Sequence, residues 1–152
     1  KATFLLGTIL GQLVAAWVQM ALLVFFGIHV LGIDWGNSIP GLVVLLLAFS
    51  LAATALGTLL GTLVRSTEEA GGLAPITGMV MALVGGCWYP GELFPEAVKT
   101  VNQFLPTTWA LQGLNDLGLR RLGLVEILPE AGVLLVFTVV FFVLGIWRFR
   151  YE

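Results

Sequence analysis

The sequence has very few charged residues for its length. Its 152 residues include seven Lys or Arg and nine Asp or Glu, so charged residues make up 11% of the chain, against 59% hydrophobic residues. This balance fits no class of soluble globular protein and indicates a protein whose solvent is lipid. The charges are spread along the chain without a basic stripe, which excludes nucleic acid as a partner.

Residue types that perform catalysis or bind metals are also scarce. Cys87 and His29 are the single cysteine and the single histidine, and neither has the neighbours of a disulfide, a metal site or a catalytic dyad. We interpret Cys87 as packing and His29 as an interfacial residue. Ser50 has no buried base within the apolar runs and lies in no nucleophile-elbow motif, which argues against a hydrolase. No Gly-Lys dipeptide occurs, so the chain has no P-loop for nucleotide phosphates.

Long apolar runs are what the sequence does contain. A helix needs roughly 20 apolar residues to cross about 30 Å of hydrocarbon. Four runs approach or exceed this length, at residues 2–31, 41–64, 70–89 and 131–149. The Gly, Asn and Pro of residues 32–40 predict a short hairpin between the first two, and Pro75 allows the third to bend. The sequence therefore predicts an all-α membrane protein, one transmembrane domain over residues 1–152 with four transmembrane helices.

The basic residues predict how these helices are oriented. Lys1, Arg65, Arg148 and Arg150 fall on one side of the membrane, whereas residues 32–40 on the other side contain no Lys or Arg. By the positive-inside rule the first side, including the C-terminus, is cytoplasmic. Because the chain starts with Lys and enters a span at once, we expect it to be a piece of a longer protein.

The segment between the last two runs, residues 90–129, predicts an ordered structure on the outer side. Helical spacing and proline positions predict two short helices at residues 95–105 and 108–119, with Thr107 and Thr108 capping the second. Both are too short to span, which favours a re-entrant helical hairpin. Because such backbone is tolerated at membrane depth only beside protein or a water-filled cavity, the hairpin is the expected place for a pathway.

Polar residues within and between the runs allow two interpretations each. Gln12 and Gln19 lie on one helical face, where they would either hydrogen-bond to another helix or contact a translocated substrate. Ser66 with Glu69 forms a capping box, and Glu68 and Glu69 suit the positive end of a helix dipole; the alternative is a cytoplasmic contact for a partner protein. The small-residue spacing of Ala53, Gly57 and Gly61 predicts a packing face.

Several short segments together resemble a known family. They are Arg-Ser-Thr-Glu-Glu-Ala at 65–70, Gly-Gly-Cys-Trp-Tyr-Pro at 85–90 leading to Phe94-Pro95, Leu-Pro-Thr-Thr-Trp-Ala at 105–110 and Gly-Ile-Trp-Arg-Phe at 145–149. On these segments the chain resembles the C-terminal part of the membrane (permease) subunit of a type-2 ABC exporter, in particular the bacterial drug and antibiotic efflux permeases. The resemblance implies that the first spans and the ATPase-docking coupling helix lie outside this sequence.

The resemblance also implies a function. It is ATP-driven export of a hydrophobic or amphipathic compound (drug, antibiotic or lipid-like) across a bacterial inner membrane, with ABC ATPase subunits and a second permease subunit as partners. The chain itself would have no catalytic residue and no cofactor, since ATP and Mg would bind the ATPase. We expect Gln12 and Gln19 to line the transport pathway. The expected outer gate consists of Trp88, Pro90, Phe94, Pro95, Asn102, Pro106 and Trp109.

Three rival classes remain from the residues alone. A non-transporting membrane scaffold or assembly subunit needs only packing faces. An ion channel would usually carry a charged or carbonyl-rich filter, and an intramembrane enzyme would need paired ionisable groups in its spans. The sequence shows neither of these last two features, so the scaffold is the main alternative to the exporter.

Overall fold

The computed structural model describes residues 2–149, and all of its regular secondary structure in that range is helical. The helices are α1 (Ala2–His29), α2 (Ile39–Gly61), α3 (Thr67–Val84), α4 (Glu96–Asn102), α5 (Pro106–Gly118) and α6 (Leu128–Phe149), with a 3-10 turn at Gly91–Leu93 between α3 and α4. The prediction of an all-α protein is therefore confirmed.

Three of these helices, α1, α2 and α6, are long enough and apolar enough to cross a membrane. They coincide with the first, second and fourth predicted runs to within a few residues. The third run corresponds to α3, which has 18 residues and is not among the three. Its first turn holds Glu68 and Glu69, and Pro75 lies inside it, so apolar residues are concentrated in its second half.

The core of the molecule is the contact between α2 and α6, joined by α5. Leu45 of α2, Leu117 of α5 and Leu134 of α6 are each at most 1% exposed. On α2 the small residues of this face are Ala48, Ala52 and Ala55, all buried. Ala53, Gly57 and Gly61, which were predicted to form a packing face, are all exposed within the described residues and are not part of this core.

Helix α1 is attached to α2 much more loosely. Leu13 and Gly27 are its only buried residues within the described part of the chain. Near its middle, the Trp17 indole Nε1 donates a hydrogen bond of 2.7 Å to Ser50 Oγ, which itself donates to the Leu47 carbonyl oxygen at 2.7 Å. Ser50 is thus a fully buried and satisfied polar contact between two helices.

The start of α3 forms the capping arrangement that the sequence predicts. Ser66 Oγ accepts a hydrogen bond of 3.1 Å from the Glu69 backbone N–H. The Glu69 carboxylate in turn accepts from the Arg65 backbone N–H at 2.8 Å, one residue before the cap. Both acids lie in the first turn, where the helix dipole favours negative charge.

We expect Ser66→Ala to loosen this first turn, because the Glu69 N–H would lose its acceptor. The first turn of α3 should lose about 1 kcal/mol of stability. Amide hydrogen exchange over residues 67–70 of the full-length protein in detergent should therefore become about fivefold faster. Ser66→Asp is the matched control, since Asp is an equally good cap and should keep exchange slow. Equal exchange in the Ala variant and the wild type would show that the cap contributes nothing.

The segment between α3 and α6 contains the two predicted helices: α4 is shorter than predicted, with 7 residues, whereas α5 begins two residues earlier than predicted and has 13. Thr107 and Thr108 do not cap α5, which is a correction: Leu105 is the cap residue without a side-chain bond, and Pro106 occupies the first turn. Proline is favoured at this position because it has no N–H to satisfy and its φ is already close to the helical value. The Thr107 hydroxyl instead donates to the Met81 carbonyl oxygen at 2.9 Å, which joins the start of α5 to the end of α3.

Candidate functional site: a three-helix groove and the outer helices

Helices α1, α2 and α6 form an open groove of about 620 Å³ at the end where α1 begins and α2 and α6 finish. We call it the three-helix groove. It is lined by Ala2, Leu5, Leu6, Thr8, Ile9 and Gln12 of α1, by Gly57, Thr58, Gly61 and Thr62 in and just after α2, and by Phe142, Gly145, Ile146 and Phe149 of α6. None of these lining residues is charged. The glycines that were predicted to pack α2 against another helix thus form part of its wall.

The polar groups of the three-helix groove are three hydroxyls and one carboxamide. Each hydroxyl donates its hydrogen to a backbone carbonyl oxygen of its own helix or helix end: Thr8 to Phe4 at 3.0 Å, Thr58 to Thr54 at 2.9 Å and Thr62 to Leu59 at 2.7 Å. Their oxygens can still accept hydrogen bonds, but they have no hydrogen left to donate. The Gln12 amide forms no hydrogen bond with any residue of the described chain, and it is the only free donor of the groove.

The two glutamines that were predicted to line a pathway are separated by the structure. Both are exposed, but Gln12 lines the three-helix groove, whereas Gln19, two turns along α1, lies outside it. Neither glutamine bonds to another helix within residues 2–149. At the end of the groove the Arg148 Nε donates to the Thr62 carbonyl oxygen at 3.4 Å, so a guanidinium lies beside the opening.

A second, smaller groove of about 390 Å³ lies between the other halves of α1 and α2. Its wall is apolar and includes Trp17, Val24, Phe25, Leu42 and Leu46. The hydrogen bond between Trp17 and Ser50 lies between the two grooves along both helices. The two grooves therefore flank the main polar contact between α1 and α2.

The predicted outer-gate residues fall into two parts of the outer segment. Asn102 and Pro106 are buried and Trp109 is half-buried at the turn from α4 to α5, where the Trp109 Nε1 donates to the Gln103 carbonyl oxygen at 2.8 Å. In the connection from α3 to α4, Phe94 is half-buried, whereas Trp88, Pro90 and Pro95 are exposed. The free thiol of Cys87 is also exposed in this connection, so its interpretation as packing was wrong.

Sequence analysis missed a buried polar contact between α5 and α6. Glu130 is 6% exposed in the first turn of α6, and its Oε1 accepts from Gln112 Nε2 at 3.3 Å. Its Oε2 and the hydroxyl oxygen of Thr108, one turn before Gln112, are buried without a hydrogen-bond partner in the described residues. Proline followed by an acid at residues 129–130 is a helix-start signal that would have placed Glu130 inside α6.

The connection between α1 and α2 is bound to the end of α5. Asp34 Oδ2 and Arg121 Nη2 form a salt bridge of 2.7 Å, both more than half exposed. Gly36 has a φ of +87°, and a Cβ placed on it would overlap the Leu117 carbonyl oxygen. Trp35 is half-buried against the core. This connection is thus a packed element at the C-terminal end of α5.

Comparison with known proteins identifies relatives over almost the whole chain. The family model described as "ABC-2 family transporter protein" matches residues 1–147. The linearmycin resistance permease protein LnrN of Bacillus subtilis is 27% identical over 144 residues, which is 95% of this chain and 37% of that protein. The inner membrane transport permease YhhJ of Escherichia coli is 30% identical over 122 residues, 80% of this chain and 32% of that protein.

The chain thus spans about a third of the length of these curated relatives, 37% of one and 32% of the other. A shorter match to the putative transport permease YvfS of Bacillus subtilis is 43% identical over 53 residues, 35% of this chain. No solved structure matches the chain.

Proposed function

Because the chain belongs to the ABC-2 family of transporter proteins, we propose that it forms part of the permease subunit of an ATP-driven exporter. The cargo is a hydrophobic or amphipathic compound, drug-like, antibiotic-like or lipid-like, moved out of the cytoplasm or the inner leaflet. The observation that carries this proposal is the three-helix groove, an uncharged cavity of about 620 Å³ among the helices that can cross a membrane.

The chemistry of the groove supports such a cargo. Its wall is largely aliphatic and aromatic, with a few polar groups that can fix the orientation of a bound molecule. An ion entering this groove would lose its hydration shell without meeting an opposite charge on the lining residues, which is costly. An amphipathic compound would pair its apolar part with the wall and its polar groups with Gln12 and the three threonines.

The membrane arrangement follows from the same proposal. With the C-terminus cytoplasmic, the three-helix groove lies in the cytoplasmic leaflet, since α2 and α6 both end there. Helix α3 and the residues up to 89 form a fourth span within one transmembrane domain, and α4 with α5 forms the re-entrant hairpin of the outer gate. Ser66, Glu68 and Glu69 then lie on the cytoplasmic side, where they are available to a partner as well as to the helix cap.

Energy for transport comes from outside this chain in this proposal. ABC ATPase subunits hold ATP and Mg, and a second permease subunit, identical or different, completes the pathway. One relative is named for resistance to a compound, linearmycin, which supports a drug-like cargo here. The competing assignment is a membrane scaffold without transport, for which packing faces such as that of α2 and α6 suffice.

The experiment is co-purification of the full-length permease with candidate ABC ATPase subunits, followed by ATP hydrolysis measurements in lipid. We expect a stable complex whose hydrolysis rate rises when amphipathic compounds are added. A folded permease that associates with no ATPase would overturn the exporter and leave the scaffold in its place. A permease that binds an ATPase, but whose ATP hydrolysis rate is unchanged by every compound tested, would contradict the proposed cargo class.

A further inference from the structure

We infer that the three-helix groove binds an uncharged, elongated molecule that carries two or more hydroxyl or N–H donors on an apolar chain. This inference rests on the proposed export function and names the class of its cargo. Three properties of the groove lead to it: its length, its lack of charge, and an excess of hydrogen-bond acceptors over donors. Each is a property of the described residues.

The length of the groove matches one leaflet of a bilayer. Its lining residues on α1 run from Ala2 to Gln12, which at a rise of about 1.5 Å per residue is about 15 Å. This is half of the hydrocarbon thickness of about 30 Å. A molecule that fills the groove along its axis is therefore elongated, with a length of about 15 Å.

The hydrogen-bonding groups of the groove are mainly acceptors. The hydroxyl oxygens of Thr8, Thr58 and Thr62 retain lone pairs, but their hydrogens already bond to backbone carbonyl oxygens. Gln12 adds one carbonyl oxygen and one NH₂ group, which carries the only free side-chain donors among the lining residues. A ligand that buries these acceptors must supply donors, because an unpaired polar group in an apolar site is costly to bury.

The spacing of these groups indicates where the donors of the ligand lie. Thr8 and Gln12 are one turn apart on α1, and Thr58 and Thr62 are one turn apart at the end of α2. Four residues of helix rise by about 6 Å, so each wall presents two acceptors about 6 Å apart along the groove. A chain with hydroxyl or amide N–H groups repeated at a similar interval would bond to both walls.

The absence of charge on the lining residues excludes ionised chains from the body of the groove. A carboxylate could be accepted only at the opening, where the Arg148 guanidinium lies beside Thr62. A fatty acid would therefore bind through its head group, whereas the inferred ligand binds along its length. These two modes depend on different residues and can be separated experimentally.

The test uses the full-length permease in lipid nanodiscs and three photoreactive probes with the same sixteen-carbon chain and diazirine. One carries two internal hydroxyls and an uncharged end, one carries no hydroxyl, and one ends in a carboxylate. We expect the diol probe to label peptides from the first half of α1 and the end of α2, and to do so more strongly than the other two. Labelling needs no ATPase, so it reports on the groove even if export is disproved.

The variants decide which groups hold the probe. Gln12→Leu and Thr58→Val should each reduce diol labelling by about threefold to tenfold, as expected for one lost hydrogen bond. Gln19→Leu makes the same chemical change on the same helix outside the groove and should leave labelling unchanged. Gln12 forms no bond within the described chain, so its replacement should not unfold the protein.

The remaining outcomes would overturn the inference. Stronger labelling by the carboxylate probe, lost in Arg148→Gln, would show head-group recognition at the opening. Equal labelling by the diol and the plain chain would show that the groove selects apolar length alone. No labelling of these peptides by any probe would mean that another helix of the longer protein fills the groove, and compound-stimulated ATP hydrolysis would then leave the exporter intact with a different cargo site.

Discussion

Gly36→Ala should be among the most damaging single-methyl additions in this chain, lowering the free energy of unfolding by about 3 kcal/mol or more. The backbone at Gly36 has a φ of +87°, a conformation that L side chains rarely adopt. The added Cβ would also overlap the Leu117 carbonyl oxygen, and Leu117 is 1% exposed in the core. Relieving this overlap would require the backbone at Gly36 or at Leu117 to move, and either movement would separate the α1–α2 connection from α5. Denaturant titration of the full-length protein in detergent measures the loss.

Gly32→Ala is the matched control for this prediction. Gly32 also has a positive φ, of +63°, but a Cβ there would meet no atom within 4 Å. Its substitution should cost only the conformational strain, about 1 kcal/mol. The difference between the two variants is thus the contribution of the contact with Leu117. Equal losses at both positions would show that the connection does not pack on α5 in solution.

Gly113→Ala should also be strongly destabilising, although alanine is normally the better helix residue by about 1 kcal/mol. A Cβ at Gly113 would lie 2.6 and 2.8 Å from the two terminal carbons of Leu45. Leu45 is completely buried in the core between α2, α5 and α6, so its side chain has little room to move. Overpacking of this kind costs about 1–3 kcal/mol, measured by the same titration.

Two further variants isolate the cause of that loss. Gly132→Ala, on α6 with no atom within 4 Å of the new Cβ, should raise stability by several tenths of a kcal/mol through helix propensity alone. Leu45→Ala combined with Gly113→Ala should be less harmful than the sum of the single losses, because the smaller side chain leaves space for the methyl group. If the stability losses of the two single variants simply add in the double variant, the loss caused by Gly113→Ala does not arise from its contact with Leu45.

The sequence predicted the lengths of the membrane helices much better than their rotation about their own axes. Apolar residues favour both lipid and protein interior, so hydropathy locates α1, α2 and α6 without showing which side faces a neighbour. On α2 the chosen stripe began at Ala53, while the buried one contains Ala52. A shift of one residue turns a helix by about 100°, because there are about 3.6 residues in each turn. Glycines expected in a helix contact therefore line a groove.

Local chemistry was predictable where one short segment decides the outcome. Ser66 and Glu69 form their cap from sequence-adjacent groups, so the pattern alone sufficed. Contacts between distant segments left no such signal: Thr107 bonds to Met81, and Glu130 to Gln112, only because α5 lies against α3 and α6. For the same reason Gln12 and Gln19 were equivalent in the sequence, and only the packing of α2 and α6 places Gln12 in a groove.

The hydrogen bond from Trp17 to Ser50 has a mechanical consequence. Helices α2, α5 and α6 share one core and would move as a rigid body, whereas α1 touches it lightly and is bonded to it near its own midpoint. A tilt of α1 about this point would widen the three-helix groove while narrowing the second groove, and the reverse tilt would do the opposite. A small rotation of one helix about Trp17 would thus open one groove and close the other.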